Sequence, residues 1–467
     1  MIFRPYYLSC LSHASYLVAD EASGRAAVVD PQRDVGQYLA DASKLGVRVT
    51  DVILTHFHAD FVSGHLELVE ATGARIHVGA QAHPEYGFVP AHDGDALELG
   101  PTTRLVFRET PGHTPESISV LVFDRAKSET APTGVLTGDA LFIGDVGRPD
   151  LMASVGVTAE ELGGLLYDSL HQKLLTLPDT TVVYPAHGAG SLCGKNLSSE
   201  LSSPLGVQRR TNYALQPMSK AEFVRVVTAD QPESPAYFAF AADANRRTHE
   251  TLDHALARTA ATLSLDDVLR LAREGAILLD VRPSPAFGSA HLAGSINLAL
   301  RGSFATWAGT LLDRSRPVVL LGDPGSETEA ATRLGRIGFD QVAGHLDDLM
   351  GAMKSRPDLV RRVTKVSPVE LWARIDAGTA PLVVDVRAPS EHAHGHVPGS
   401  VSIPLPHLLE RKGVIPRDRE VVVHCQGGYR SSIAASLLAR EGWTNVSDLV
   451  GGFVSFEAAR APAFPEV

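Results

Sequence analysis

Three stretches, THFHAD (55–60), TPGHTPES (110–117) and LTGDALF (136–142), decide how the first part of this chain is read. Each leaves an apolar run with strand character: DVILTH (51–56), RLVFRET (104–110) and GVLTG (134–138). Loops at one sheet edge are held by a rigid scaffold, so their polar side chains can converge. These loops carry His56, His113 and Asp139, imidazoles and a carboxylate, donor types that bind Fe(II). Zn(II) accepts the same donors, and ligand type alone does not separate the two metals. His58 and Asp60 stand beside His56, and Phe61 follows them.

Working outward, residues 1–190 alternate short apolar runs with Gly, Asp and His turns. SYLVAD (15–20), AAVVD (26–30), RIHVG (75–79), ISVLVF (118–123) and TVVYP (181–185) read as further strands. VGQYLADASKLG (35–46) and the segment after Gly64 read as helices. The last strand runs into YPAHGAGS (184–191), which carries His187, and then GAGSLCGKN (188–196), which carries Cys193. Cys193 follows His187 closely and either lines a substrate entrance or is a small half-buried apolar group. His13, His77, His83, His92 and His171 lie in no motif and are expected at the surface or as satisfied core groups. Residues 190–260, rich in Ser, Pro and Ala, read as helices that close the first domain, followed by a linker.

The second half contains an internal repeat. LLDVRPSPAFGSAHLAGSINL (278–298) matches VVDVRAPSEHAHGHVPGSVSI (383–403), with an offset of 105 at both Asp280/Asp385 (385 − 280) and Gly294/Gly399 (399 − 294). Each copy opens with a helix signal, Ser264 before Asp267 and Ser367-Pro368-Val369-Glu370. The second is a capping box with Pro at the first helical position, so Ser367 and Glu370 can satisfy backbone N–H groups reciprocally. Each copy then gives an apolar strand ending in Asp-Val-Arg, and later a strand, a Gly-containing loop and a helix: VVLLGDPGSETEAATRLGRIGF (318–339) and VVVHCQGGYRSSIAASLLAREGW (421–443). Strand–helix alternation at this spacing predicts parallel α/β sheets.

The two loops differ in chemistry. HCQGGYRS (424–431) places Cys425 between a strand and a helix. There, successive backbone N–H groups and the helix N-terminus favour a thiolate. Gly427 and Gly428 let the backbone curl around the sulfur, and Arg430 lies where it could hold an anion. The matching loop GDPGSETEA has no thiol, and Glu327 and Glu329 would repel an anionic sulfur donor. Asp280 and Arg282 are read as a structural ion pair.

Composition bounds the rest. A chain of 467 residues should hold about three domains. Its net charge of -12 disfavours general binding to nucleic acid or an anionic membrane. Cys10, Cys193 and Cys425 are too few and too scattered for a disulfide framework, so a reducing compartment fits. No apolar run approaches the roughly 20 residues that span a bilayer. The opening stretch MIFRPYYLSCLSHASYLVAD lacks a continuous apolar core and a small-residue cleavage site, so the cytoplasm is the expected compartment. A homo-oligomer is the expected assembly.

The His and Asp stretches resemble those of the metallo-β-lactamase superfamily over about residues 1–250, which implies an αββα sandwich. The usual pattern there reads T-H-x-H-x-D-H, and the last position is Phe61 here, which argues against a two-metal hydrolase. Within that superfamily, TGDALFIGDVGRPDL (137–151), with Gly147, Arg148 and Asp150, resembles the persulfide dioxygenases. The resemblance implies one Fe(II) per chain held by His56, His113 and Asp139. His58, Asp60 and His187 would then lie outside the ligand set, orienting ligands or bound water. Arg148 and Cys193 are candidate substrate-side residues.

The segments DVRAPSEHAHGHVPGSVSIP and HCQGGYRS resemble the rhodanese sulfurtransferases over about residues 365–467. That resemblance implies a persulfide carried on Cys425, cradled by Gln426, Gly427, Gly428, Tyr429 and Arg430. The first copy then reads as an inactive rhodanese serving as spacer, docking surface or dimer contact. The whole arrangement is similar to bacterial persulfide dioxygenase–sulfurtransferase fusions. The expected domains are 1–258, 259–360 and 361–467.

What this implies is oxygenation of a low-molecular-weight thiol persulfide by O₂ to sulfite, and sulfur transfer through Cys425 to sulfite, giving thiosulfate. Two other readings stand beside it. One is a single-metal thioester hydrolase of the glyoxalase II kind with an accessory rhodanese. The other is a sulfur carrier or scaffold with a silent metal site. Glutathione, coenzyme A and bacillithiol persulfides all fit as substrates.

Overall fold

The computed structural model describes residues 1–151, 156–259 and 261–460. Two compact units form: Met1–Ala255 with Leu334–Asp340, and Leu256–Arg333 with Gln341–Val467.

The first unit is built on two six-stranded sheets. One runs in sequence order through Ile2–Leu8, His13–Asp20, Arg25–Val29, Arg48–Ile53, Arg75–Gly79 and Val89–Ala91. The other runs Ser203–Pro204, Val182–Pro185, Gly134–Gly138, Ile118–Asp124, Thr103–Glu109 and Ala96–Glu98. Strand His13–Asp20 is buried along its whole length because both of its faces are covered. Alternation then sorts its side chains. Tyr16 and Val18 join Leu105, Val120 and Val122 between the sheets, whereas Leu17 and Ala19 pack with Tyr38 and Leu68 of the helices outside. On the far side, Leu121 and Val135 meet Leu166, Leu170 and Phe223. The layers are therefore helix, sheet, sheet, helix, as expected for an αββα sandwich.

The predicted helices appear at Gly36–Leu45 and His65–Thr72, each ended by a glycine in the left-handed region, Gly46 (φ 68°) and Gly73 (φ 70°). The Ser/Pro/Ala-rich segment supplies helices Leu205–Thr211, Lys220–Thr228, Tyr237–Ala244 and Leu252–Thr259.

The second unit contains two five-stranded sheets of the same design. The first is ordered Thr262–Leu263, Val342–Leu346, Val318–Leu321, Ile277–Asp280, Ile296–Asn297. The second is ordered Thr364–Val366, Val446–Leu449, Val421–His424, Leu382–Asp385, Val401–Ser402. Every pairing in both is parallel. Each copy has its own core, one around Val268, Leu278, Val319 and Leu346, the other around Leu371, Val383, Val422 and Phe453. The helix signals hold in part. Ser264 Oγ accepts from Asp267 N and Ser367 Oγ from Glu370 N, at 3.2 and 3.1 Å. The reciprocal half of the box at Ser367 does not form, since the Glu370 carboxylate turns toward Arg374 one helical turn on. Among the described residues no helix is long and apolar enough to cross a membrane.

Candidate functional site

Loops after four strands of the sandwich bring polar groups together at one end. His56 Nε2 lies 3.7 Å and His113 Nε2 3.4 Å from Asp139 Oδ2. Ligand atoms of the three residues lie within 4.8 Å of one another, and all three are buried. His56 Nε2 and Asp139 Oδ2 have no hydrogen-bond partner among the described residues. Leaving buried polar atoms unsatisfied is costly. Two nitrogens and one oxygen that converge, two of them unpartnered among the described residues, are what a bound divalent metal would satisfy, so the residues fit a metal ion.

Each donor is aimed by its other atoms. The Thr55 hydroxyl donates to Asp30 Oδ2 at 2.8 Å and lies 3.0 Å from His56 Nδ1, from which it can accept, leaving the Nε2 lone pair free. Asp30 takes a positive φ of 50° to do this and also receives the Thr55 N–H at 2.7 Å. His113 Nδ1 is 2.8 Å from the Arg148 carbonyl, which fixes the same tautomer. Burial first, and then the neighbouring His58, holds His56 well below the usual imidazole range. Burial does the same to His113 against the pull of Asp139. Both rings are therefore neutral, as metal ligation requires.

Asp139 is oriented from behind. His187 Nδ1 sits 2.8 Å from Asp139 Oδ1, and His187 Nε2 sits 2.9 Å from Asp60 Oδ2. Burial opposes a charge on His187, but the two carboxylates outweigh it and raise its pKa well above the usual imidazole value. His58 lies beside these donors: its ring is 4.1 Å from that of His56 and 4.5 Å from that of Phe61, and its Nε2 is 3.1 Å from Asp30 Oδ1. His58, Asp60 and His187 form a second group of donors within 4.8 Å of one another, and Asp139, His187 and Cys193 a third. The Phe61 ring, fully buried, fills the space beside the second group.

Three placements differ from what the sequence suggests. His13, expected as a bland group, is buried with Nε2 unpartnered, and its ring is 4.1 Å from Phe61 and 5.7 Å from His187. It arrives there because strand His13–Asp20 forms a bridge to His187. Arg148 is buried and clamps Asp150 through two contacts of 2.7 and 2.6 Å, so its carbonyl, not its charge, reaches the site. Cys193 is 1% exposed, and burial, followed by Asp60 and Asp139, raises its thiol pKa well above normal. Gly147 has a reason to be glycine: a Cβ there would lie 1.9 Å from the Asp139 carbonyl oxygen. A cavity of about 330 Å³ reaches His113, walled by Phe57, Ala59, Asp150, Phe238 and Arg246. The Arg246 guanidinium stacks over Phe57 at 5.4 Å.

In the second unit, Cys425 is buried at the end of strand Val421–His424, and helix Tyr429–Arg440 starts four residues on. The Gly428 N–H donates to Cys425 Sγ at 3.1 Å, from a backbone with φ of 99° that favours glycine. Gln426 Oε1 accepts from Arg387 at 3.0 Å, tying the loop to the Asp-Val-Arg strand. Arg430, expected to meet an anion, is held bidentate by Glu391 at 2.6 and 2.8 Å. The Tyr429 hydroxyl donates to the Ala299 carbonyl of the first copy at 3.0 Å.

Comparison with known proteins agrees with this architecture. The profile of the metallo-beta-lactamase superfamily matches residues 8–187, and that of the rhodanese-like domain matches residues 264–348 and 367–459. A solved metallo-beta-lactamase from Staphylococcus aureus subsp. aureus COL is 31% identical, with a TM-score of 0.66 over 74% of this chain and 99% of that one. These define a metallo-β-lactamase fold joined to two rhodanese-like domains. The mitochondrial persulfide dioxygenase ETHE1 of Bos taurus is 31% identical over 50% of this chain and 83% of its own length. A hydroxyacylglutathione hydrolase of Polaromonas sp. is 32% identical over 37% of this chain and 61% of its own length. The chain belongs to the persulfide dioxygenase family and is an enzyme that also carries a rhodanese sulfurtransferase domain.

Proposed function

We propose that this enzyme oxygenates a low-molecular-weight thiol persulfide at a single Fe(II) site and passes sulfane sulfur through Cys425 to the sulfite it makes. The net first reaction is RSSH + O₂ + H₂O → RSH + SO₃²⁻ + 2H⁺, in which the sulfane sulfur gives up the electrons that reduce O₂. In the second, Cys425 takes sulfane sulfur from another persulfide, sulfite attacks that outer sulfur, thiosulfate leaves and the Cys425 thiolate returns.

The carrying observation is the converging donor set of His56, His113 and Asp139. Fe(II) held there would supply open positions for O₂ and a sulfur anion. Thr55 and the Arg148 carbonyl keep the two Nε2 atoms aimed inward, and His187 with Asp60 holds Asp139. Phe57 and Phe238 give the approach to His113 an apolar side, and Asp150 and Arg246 give it a charged one. All three cysteines are unpaired, consistent with a reducing, cytoplasmic setting. We take 1–258, 259–360 and 361–467 as the domain limits, and a homo-oligomer as the assembly.

The second reading, thioester hydrolysis, draws on the hydroxyacylglutathione hydrolase similarity and on the second donor group, His58, Asp60 and His187. Metal content and oxygen uptake separate the two. Anaerobically prepared protein should hold about one iron per chain and consume O₂ with added persulfide. Asp139→Ala should lose the iron and slow oxygen uptake by more than about 100-fold. Two tightly bound zinc ions in fully active enzyme, or thioester hydrolysis with no oxygen uptake, would overturn the dioxygenase reading.

A further inference from the structure

The first rhodanese copy has no thiol, yet it reaches the cysteine loop of the second. Asn297 on its strand Ile296–Asn297 accepts from the Ser432 hydroxyl at 2.7 Å, and its N–H donates to Ser436 Oγ at 3.1 Å. Both serines lie on the helix that begins at Tyr429, and all these groups are buried. Together with the Tyr429–Ala299 bond, these contacts fix the first copy against the cysteine loop.

Between the two copies lies a cavity of about 870 Å³. One wall is Gly427, Gly428 and Tyr429, the part of the loop whose N–H meets Cys425 Sγ. The opposite wall includes Ser284 and Arg301 of the first copy, with Arg362 from the segment that joins the copies. Its remaining charged residues are Lys365 and Asp448, which neutralise each other at 2.6 Å. Arg301 and Arg362 are exposed, and neither has an ion pair among the described residues. The cavity is therefore net positive in a chain whose net charge is -12. The loop arginine, Arg430, is already occupied by Glu391.

We propose that this cavity is the carrier subsite of the sulfurtransferase. It takes the non-reacting part of a persulfide whose thiol bears carboxylate or phosphate groups, and Arg301 of the thiol-less copy and Arg362 select for that charge. The inference rests on the sulfurtransferase reading above. With the carrier seated, the Cys425 thiolate attacks the terminal sulfur of R–S–SH. The donor S–S bond breaks as the Cys425 S–S bond forms, and R–S⁻ leaves and takes a proton from solvent, with no net change in oxidation. The cavity volume exceeds what sulfite or thiosulfate needs, which is why the carrier, and not the acceptor, is the occupant.

The test uses the full-length protein and its Arg301→Ala/Arg362→Ala double variant. Sulfur transfer to sulfite is followed with the persulfides of glutathione (carboxylates), coenzyme A (phosphates) and 2-mercaptoethanol (uncharged). The double variant should raise KM for the charged donors about fivefold, with kcat held, and shift KM for the uncharged donor by less than about twofold. The difference should shrink as salt is raised. Whichever of the two charged donors shows the larger shift identifies the anion. Arg273→Ala, on an exposed helix face outside the cavity, serves as the charge control. Titration with S-methylglutathione and S-methyl-coenzyme A reads binding without turnover. Equal KM and equal thioether affinity in wild type and double variant would overturn the subsite alone. Charge-dependent thioether binding with no sulfur transfer from any donor would keep the subsite and overturn the sulfurtransferase reading.

Discussion

In the second rhodanese copy the N–H of Gly428 donates to Cys425 Sγ at 3.1 Å; at the matching turn of the first copy the N–H of Gly325 donates to Glu327 Oε2 at 2.9 Å. Both glycines hold the same backbone, φ of 99° and 89°. What changes is the group that receives the loop's N–H. Glu327 stands where the second copy has Arg430, so the sign of the charge is inverted. Gly322 stands where the second copy has Cys425, and a Cβ there would lie 2.2 Å from Ser326 Oγ and 2.9 Å from Val281 Cγ2. The pocket at this turn measures about 60 Å³, and Asp323, Glu327 and Asp347 are among the residues that line it.

The framework behind the turn is unchanged. Arg282 holds Asp280 through Nε at 3.0 Å and donates to the Ala290 carbonyl at 2.9 Å. Arg387 holds Asp385 through Nε at 3.0 Å and donates to the Gly395 carbonyl at 2.6 Å. The buried ion pair thus serves the fold in both copies, and what differs between them is the side chains of one turn. Arg387 adds one link that Arg282 lacks, the bond to Gln426 in the cysteine loop.

The largest expected effect tests that shared framework. Asp385→Asn leaves the buried Arg387 unpaired and should cost about 3–5 kcal/mol at pH 7, and Asp280→Asn should cost about the same in the first copy. Urea denaturation followed by tryptophan fluorescence reads both. Burial works against the charge on Asp385, but Arg387 and the nearby histidines outweigh it and hold its pKa below the usual carboxylate range. Its contribution is therefore present above about pH 4 and is lost as pH falls through the folded value. The gap between Asp385→Asn and wild type should narrow below about pH 4. A large loss in one copy with none in the other would break the comparison.

A smaller effect is expected from restoring the missing thiol. Gly322→Cys meets Ser326 and Val281 and should destabilise the chain by about 1–3 kcal/mol. In a Cys425→Ser background it should restore no sulfur transfer, because Glu327 still faces the loop. Transfer by that variant would mean that the thiol alone, and not the charge and space around it, separates the two copies.

Much of this was legible in the sequence because the signals are local. The apolar runs and the Asp-Val-Arg repeat specify the sheets, and the His and Asp stretches leave those strands directly, so the donors converge where the sandwich requires. The cysteine loop was legible for the same reason: strand, Gly-Gly turn and helix are consecutive. What was not legible depends on distant or backbone groups. His13 has no motif, and strand pairing alone brings it to His187; the one hint is a histidine at the start of a strand that is otherwise buried throughout. The Arg148 carbonyl that aims His113 carries no sequence signature. Arg430 is paired to a residue 39 positions away, and the cavity beside the cysteine loop needs both copies folded.

If two chemistries run in sequence on one chain, the products formed by Cys425→Ser reveal it. Oxygen uptake with a thiol persulfide should stay near the wild-type rate, because the donor set of His56, His113 and Asp139 is untouched. The sulfur product should change from thiosulfate to sulfite. Thiosulfate formed by Cys425→Ser at the wild-type rate, above the spontaneous reaction of sulfite with persulfide, would contradict the account.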